Sequence, residues 1–280
     1  MIYVKVIADS KHDRHRLTTI EYGLPTYLLA ELNTHRVFSR NARSARATPP
    51  KRLLEEIYST PAIPVWGSEQ PGLRAGDCTD EQQRRATVTW LRARDCAANA
   101  AEDLLCNNIH KQCANRIIAP FTWTRGVISS TEWDNFLELR CSHTAEPNMQ
   151  IFAMEVARAL ENSAPVERHH EEWHIPYIYG DEYDMELDVK LKISVARCAR
   201  VCTGSRDGGI NADIALYSKL LKDKHFSPFE HQARAPALME KYNIARNTFN
   251  AIINGKPIIT PYRNFTGWIQ YRSGVEKKFG

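Results

Sequence analysis

The chain opens on an alternating apolar run. Residues 2–8 (IYVKVIA) place β-branched side chains at period two, the pattern of a strand, and residues 17–22 (LTTIEY) read as its partner. Pro25 stands where a first helical residue belongs, and residues 26–36 (TYLLAELNTHR) follow with helical character. Five prolines, Pro49, Pro50, Pro61, Pro64 and Pro71, make the next stretch loop-rich around one helix over residues 51–58. A long helix is predicted over residues 80–107. Asp80 offers a cap, and Ala86, Trp90, Ala93, Ala97, Ala101, Leu104 and Leu105 recur at three- and four-residue spacing. A second helical region runs over residues 131–161, where Thr131 and Asp134 resemble a capping box and Pro147 must interrupt or kink the run. Residues 188–197 return to strand character and 213–222 to helix, and the C-terminal part is loop-rich. The pattern is that of a mixed α+β chain with long central helices. Composition turns aromatic and acidic after residues 169–174 (HHEEWH), but this does not divide the chain, which is expected to form one domain over residues 1–280.

Composition narrows the function classes. With 43% hydrophobic and 25% charged residues among 280, the chain is expected to be a soluble globular protein. No stretch approaches the roughly eighteen apolar residues of a membrane span, and the N-terminus lacks the apolar core of a signal peptide. The formal charge of +4, from 37 basic and 33 acidic residues, is too small to argue for nucleic acid but allows an anionic small molecule. The seven cysteines are irregularly spaced. Cys198 and Cys202 have three residues between them, which signals neither a redox pair nor a zinc knuckle. Reduced, mostly buried thiols in a cytoplasmic protein are expected.

The most informative segment is residues 34–46, THRVFSRNARSAR. Four arginines, a histidine, an asparagine and two serines fall within thirteen residues with no acid among them. Guanidinium forks bind phosphate bidentately and keep their charge. An anion site and a solvated basic loop both account for this density. Two further groups have ordinary readings beside functional ones. Ser227-Pro228-Phe229-Glu230 is a common helix start, with Ser as cap and Glu three positions on. His169, His170 and His174 lack a convincing metal pattern and read better as a surface or interface cluster.

The spacing His35-Arg36, seven residues, Ser44 resembles the signature of the flavin-dependent thymidylate synthases (ThyX). An earlier Arg14-His15-Arg16 is followed at the serine position by Leu24 and is a decoy. Three further parts of the chain resemble the same family. They are Asn115–Pro120 with its Arg-x-x-x-Pro pattern, residues 133–140 (WDNFLELR) continued by 145–150, and Ala199-Arg200-Val201-Cys202 with His225–His231 (HFSPFEH). The last two segments lie near the N-terminus in the common family layout, whereas here they follow the histidine-arginine motif. The resemblance therefore implies a circularly rearranged order, of the kind found in bacteriophage-encoded variants, with residues 1–168 carrying one set of motifs and 188–280 the other. Rearrangement of this kind is tolerated when the original termini lie close together at the surface.

The resemblance implies an α+β ThyX-like fold. It implies FAD, NADPH and methylenetetrahydrofolate as cofactors, a pyrimidine deoxynucleotide monophosphate such as dUMP as substrate, and a homotetramer that binds neither membrane nor nucleic acid. It would place His35, Arg36, Asn41, Asn135, Cys202, His225, Ser227 and Glu230 on the flavin. Ser44, Arg46 and Arg116 would hold the nucleotide, and Arg140 would face the pyrimidine ring as the catalytic residue. Gln270 and Arg272 would replace the glutamine and first arginine that normally precede the histidine. A C-terminal strand packed by its aromatics is the alternative reading of that segment. Ser44 is read as a nucleotide contact rather than a nucleophile, because the only base the sequence offers is His35, nine residues away. Three positions depart from the family pattern: Thr34 stands for Arg, Ala42 for Glu, and Cys202 for Ser. They leave open a related enzyme that makes a different C5-modified pyrimidine nucleotide, such as a hydroxymethylated one. A nucleic-acid-binding protein built on the arginine cluster is the reading from another class.

Overall fold

The computed structural model describes residues 1–44, 48–71, 75–201, 208–254 and 260–279. Strands β1 (Tyr3–His12) and β2 (His15–Pro25) form an antiparallel hairpin, closed by Asp13 in the left-handed region at φ 52°. A single 3₁₀ turn (Thr26–Leu28) and a short helix α1 (Leu29–Leu32) lead to β3 (Ser39–Ala42). Helices α2 (Pro50–Ser59), α3 (Asp80–Cys106) and α4 (Lys111–Ile117) follow. The chain then returns to the sheet as β4 (Trp123–Ser130), and α5 (Asp134–Arg140), α6 (Pro147–Glu161) and β5 (Val166–Glu167) complete the first half.

The five strands lie in the order β3-β4-β2-β1-β5, with β5 parallel to β1 and the other pairs antiparallel. Alternation along each strand sorts the two faces. Ile20, Tyr22, Leu24 and Ile128 pack against Met149, Phe152, Ala153 and Val156 of α6 in the main core. The opposite face carries small polar residues, Ser10, Thr19, Ser39 and Ser129, all buried. Gly126 sits opposite both Tyr22 and Ala42 in the register. A Cβ there would lie 2.5 Å from the Tyr22 ring and from the Asn41 carbonyl, so glycine is what lets β3 close onto β4.

The second half covers the polar face. It contains β6 (Trp173–His174), α7 (Leu187–Arg200), α8 (Gly209–Lys222), a 3₁₀ turn over Ser227–Glu230, β7 (Ala233–Arg234), α9 (Leu238–Ile253), β8 (Ile269–Gln270) and α10 (Tyr271–Phe279). Strands β6, β7 and β8 form a small antiparallel sheet. Trp268, fully buried, joins Leu17 of β2 to Ala233 and Phe265.

Several sequence expectations need correction. Thr79, not Asp80, caps α3, in a reciprocal box with Gln82. Residues 131–161 form two helices. Pro147 interrupts the run, as expected, rather than kinking it: it starts α6, a position where its missing N–H costs nothing. Glu146 supplies the cap by accepting from Met149 N at 2.7 Å. Thr131 caps nothing and accepts instead from Thr266 N at 2.9 Å. Residues 188–197 are helix α7, not strand: its buried positions Leu191, Ser194, Val195 and Cys198 follow helical spacing. Residues 26–36 are helical only as far as Leu32. Helices α9 and α10 lie in the stretch read as loop.

Candidate active site

The loop from α1 to β3 is the centre of the site. His35 is buried, stacked on Phe38 at 5.8 Å between ring centroids and edge-on to Phe136 at 5.0 Å. Its Nε2 accepts from Arg140 Nε at 3.0 Å, and its carbonyl accepts from Arg40 Nη1 at 2.5 Å. Burial, then the neighbouring Arg140 and Arg40 charges, pushes the imidazole pKa below its usual value. The ring is thus neutral, with its proton on Nδ1. Arg140 ends α5 and is also paired with Glu31 of α1. Its guanidinium is therefore oriented from two sides and its charge is shared.

A second group forms where β3 meets the Ser227–Glu230 turn and β8. The buried Gln270 donates from Nε2 to Ser39 Oγ and to the Glu230 carbonyl, both at 3.0 Å. Arg272 pairs with the Glu230 carboxylate and reaches Glu276 Oε1 at 2.7 Å. The Ser227–Glu230 turn has no side-chain cap, so capping does not account for Ser227 or Glu230. The Asn41 amide is assigned with its nitrogen donating to the Arg40 carbonyl at 2.8 Å and the Ser227 carbonyl at 3.3 Å, since its oxygen there would face two acceptors. His231, the last residue of the HFSPFEH segment, lies beside it.

The arginine-rich loop is anchored into the fold. Arg43 N donates to Arg125 O at 2.8 Å, and its guanidinium reaches Glu56 Oε2 at 2.7 Å and Trp123 O at 3.0 Å. The compensating acid missing from the segment itself comes from α2. Asn115 donates to Thr48 O at 3.1 Å, fixing the chain just beyond Ser44, and its neighbour Arg116 is exposed in the last turn of α4. Ser44, Arg36, Asn135 and His225 are exposed. Arg46 and Cys202 lie outside the described residues. The decoy arginine, Arg16, is tied to the buried Asp9 and to the carbonyls of Leu160 and Ser163.

The structure thus brings His35 and Arg140 into contact, and separately gathers Asn41, Ser227, Glu230, Gln270 and Arg272. It gives no contact that joins Asn135, Arg116 or His225 to either group. Sequence reasoning missed Glu31 and Glu56, whose pairings cross between elements. It also missed Ser129, a plain strand serine, and gave no role to His231, whose place at the end of a motif was the available signal. Among the described residues, no group of three or more His, Cys, Asp or Glu could hold a metal ion. His174 of the histidine cluster is fully buried rather than at the surface. The six described cysteines are free thiols but not mostly buried: Cys198 alone is buried, and Cys96, Cys106 and Cys113 are exposed on α3 and α4. No described helix is long and apolar enough to cross a membrane.

Residues 11–166 match the family model described as thymidylate synthase complementing protein. Two solved structures of a UMP/dUMP methylase, PolB from Streptomyces cacaoi, are similar to this chain. The one bound with 5-Br UMP is 16% identical with a TM-score of 0.47, covering 57% of this chain and 88% of its own. The one bound with 5-Br dUMP is 21% identical with a TM-score of 0.41, covering 52% and 66%. No curated protein matches.

Proposed function

Because the chain belongs to the thymidylate synthase complementing protein family, we propose that it is an FAD-dependent enzyme that methylates dUMP to dTMP, with methylenetetrahydrofolate as carbon donor and NADPH as reductant. The observation that carries this reading is the convergence of residues far apart in sequence. Gln270 donates both to Ser39 of β3 and to the Glu230 carbonyl, and Asn41 of β3 donates to the Ser227 carbonyl. The family match ends at residue 166, so the part played by residues 225–272 rests on motif resemblance and on these contacts.

The residues present fit a flavin dinucleotide by their chemistry. The exposed Arg36 guanidinium and His225 imidazole are donors suited to a diphosphate, and Asn41 offers an amide to a polar ring edge. When bound, the flavin supplies the hydride. Arg140 is fixed by His35 and Glu31 before substrate arrives, so it need not reorganise as negative charge grows on the pyrimidine oxygens. Ser44, Arg46 and Arg116 are assigned to the nucleotide. His35 Nε2 already accepts from Arg140, so it is not free to act as the base that a nucleophilic Ser44 would need. This favours a binding role for the serine. Arg40 and Arg43 are committed to protein partners, which argues against a solvated basic loop for nucleic acid.

The test is the visible spectrum of the purified protein with FAD, followed by the product mass after incubation with dUMP, methylenetetrahydrofolate and NADPH. A flavin spectrum and a product of dTMP mass are expected. A protein that takes up no flavin in excess FAD would sink the reading. A product heavier than dTMP by one oxygen atom would favour the second reading, a different C5-modified pyrimidine nucleotide, which Ala42 motivates because no carboxylate stands where the family commonly has one. A homo-oligomer, expected as a tetramer acting in the cytoplasm, completes the proposal.

A further inference from the structure

A continuous line of hydrogen bonds crosses the polar face of the sheet. Ser10 Oγ meets His174 Nδ1 at 2.9 Å, and His174 Nε2 meets Thr19 Oγ1 at 2.8 Å. Thr19 Oγ1 meets Ser129 Oγ at 2.6 Å, and Ser129 Oγ meets His231 Nδ1 at 2.9 Å. His231 Nε2 then lies 3.4 Å from the Asn41 amide. Ser10, Thr19, Ser129, His174 and His231 are all buried, the last four completely.

With every hydroxyl proton used within the line, it can run in only two directions, because each hydroxyl gives one proton and each neutral imidazole gives one and takes one. The Arg40 and Ser227 carbonyls choose between them. They require the Asn41 nitrogen on their side, and His231 Nε2 faces that same nitrogen. An Nε2–H there would set donor against donor, so Nε2 is bare and the proton sits on Nδ1. His231 then donates to Ser129, Ser129 to Thr19, Thr19 to His174 Nε2, and His174 Nδ1 to Ser10. Every link is satisfied in this direction. Burial holds both imidazoles neutral, with pKa values pushed down to about 3, so no change of charge breaks the line near neutral pH.

We propose that His231 is a positioning residue, held in one tautomer by the Ser129–Thr19–His174–Ser10 line, whose bare Nε2 joins the Arg40 and Ser227 carbonyls in keeping the Asn41 nitrogen on their side, so that its Oδ1 offers an acceptor to the imide N–H of a bound ring. This rests on the function proposed above. An imide N–H flanked by two carbonyls occurs in both the isoalloxazine of FAD and the uracil of dUMP, so the experiment must separate the two.

The first measurement needs no ligand. Nitrogen-15 NMR of the histidine side chains reports each tautomer directly, and both His174 and His231 are expected with the proton on Nδ1. An Nε2–H form of either ring would overturn the proposal whatever the protein binds. The second compares affinities for FAD against 3-methyl-FAD, and for dUMP against 3-methyl-dUMP. Losing the hydrogen bond leaves a partly buried acceptor unpaired, so one pair is expected to differ by about tenfold or more. Ser129→Ala should shrink that ratio to about threefold or less, while Thr19→Ser, which keeps the hydroxyl, should preserve it. If Ser129→Ala does not fold, Thr19→Val cuts the same line. Equal affinities within both pairs, with FAD and dUMP still bound, would overturn this proposal and leave the function intact. An undiminished ratio in the cut variant would do the same. Failure of FAD and dUMP to bind at all would remove the function and this inference with it, and the tautomers would still report the direction of the line.

Discussion

Under the proposed function Arg140 faces the pyrimidine, and that placement separates two effects of removing it. A phosphate carries the same charge before and during reaction, so an arginine on it gives uniform binding. A donor aimed at charge that appears only in the transition state acts on rate, and its loss costs about a hundred- to a thousandfold. Arg140→Ala is therefore expected to slow single-turnover flavin oxidation at saturating dUMP by that factor. Glu31→Gln, which removes only the counter-charge, should change it far less. A near-normal saturated rate for Arg140→Ala would take the residue off the pyrimidine. The buried histidines give a second prediction, on stability. Their folded pKa values lie at about 3, far below the unfolded value of about 6.5. Stability from a lowered histidine is complete above the unfolded pKa and is lost as pH falls from 6.5 toward 3, because the unfolded chain takes the proton first. Between pH 7.5 and 5.5 each should remove about 1.4 kcal/mol, read from urea unfolding, and His174→Asn should halve the loss. At this scale the sequence was informative about motif residues and silent about their partners. His35, Asn41 and Glu230 stand in recognisable spacings. Glu31, Glu56 and Ser129 do not, because a pairing between elements leaves no local pattern.

Elements were legible where one face is apolar and the other polar. Helix α3 forms close to the expected bounds, and the β1–β2 hairpin forms where its alternation predicts although both its faces are covered, its strands running on to His12 and Pro25. Helix α7 misled because it is buried on several sides, and a short run with alternating apolar residues has no unique period. Helices α9 and α10 escaped for the opposite reason: α9 buries none of its residues and α10 only Ser273 and Val275. Pro147 marked a break without saying on which side the helix lay. Its answer is the Glu146 cap, and this has a consequence for the site. The cap starts α6, whose Gln150 donates to Cys141 O at 3.1 Å, one residue beyond Arg140. Glu146→Ala is expected to lower stability by about 1 kcal/mol, the usual worth of such a cap. Chemical denaturation checks this, and a loss below about 0.3 kcal/mol would mean that Pro147 alone sets the helix start.

At the scale of the whole molecule, α9 sets a requirement that one copy does not meet. Leu238, Met239, Tyr242, Phe249, Ile252 and Ile253 are each more than 60% exposed, on a helix of sixteen residues. Leu238, Tyr242, Phe249 and Ile252 are spaced by four, seven and three, the spacing of a seam along a helix pair. Monomeric soluble proteins rarely leave so many large apolar side chains together in water. Covering one such side chain is worth about 1.5–3 kcal/mol, and association costs about 4–15 kcal/mol in lost freedom. Six from each of two copies are enough to meet that cost. The homo-oligomer implied by the family resemblance thus has a candidate contact in α9 packed on α9 of a second copy. Light scattering on the purified chain is expected to give a mass above that of one 32.0 kDa protomer. The double substitution Tyr242→Glu with Phe249→Glu should shift the mass toward the protomer or to a smaller assembly. Because neither side chain is buried within the chain, the unfolding midpoint extrapolated to low protein concentration should stay within experimental error of the unsubstituted protein. A variant that keeps the full mass would place the contact elsewhere. A variant that loses its fold as well as its mass would mean that α9 packs against its own chain.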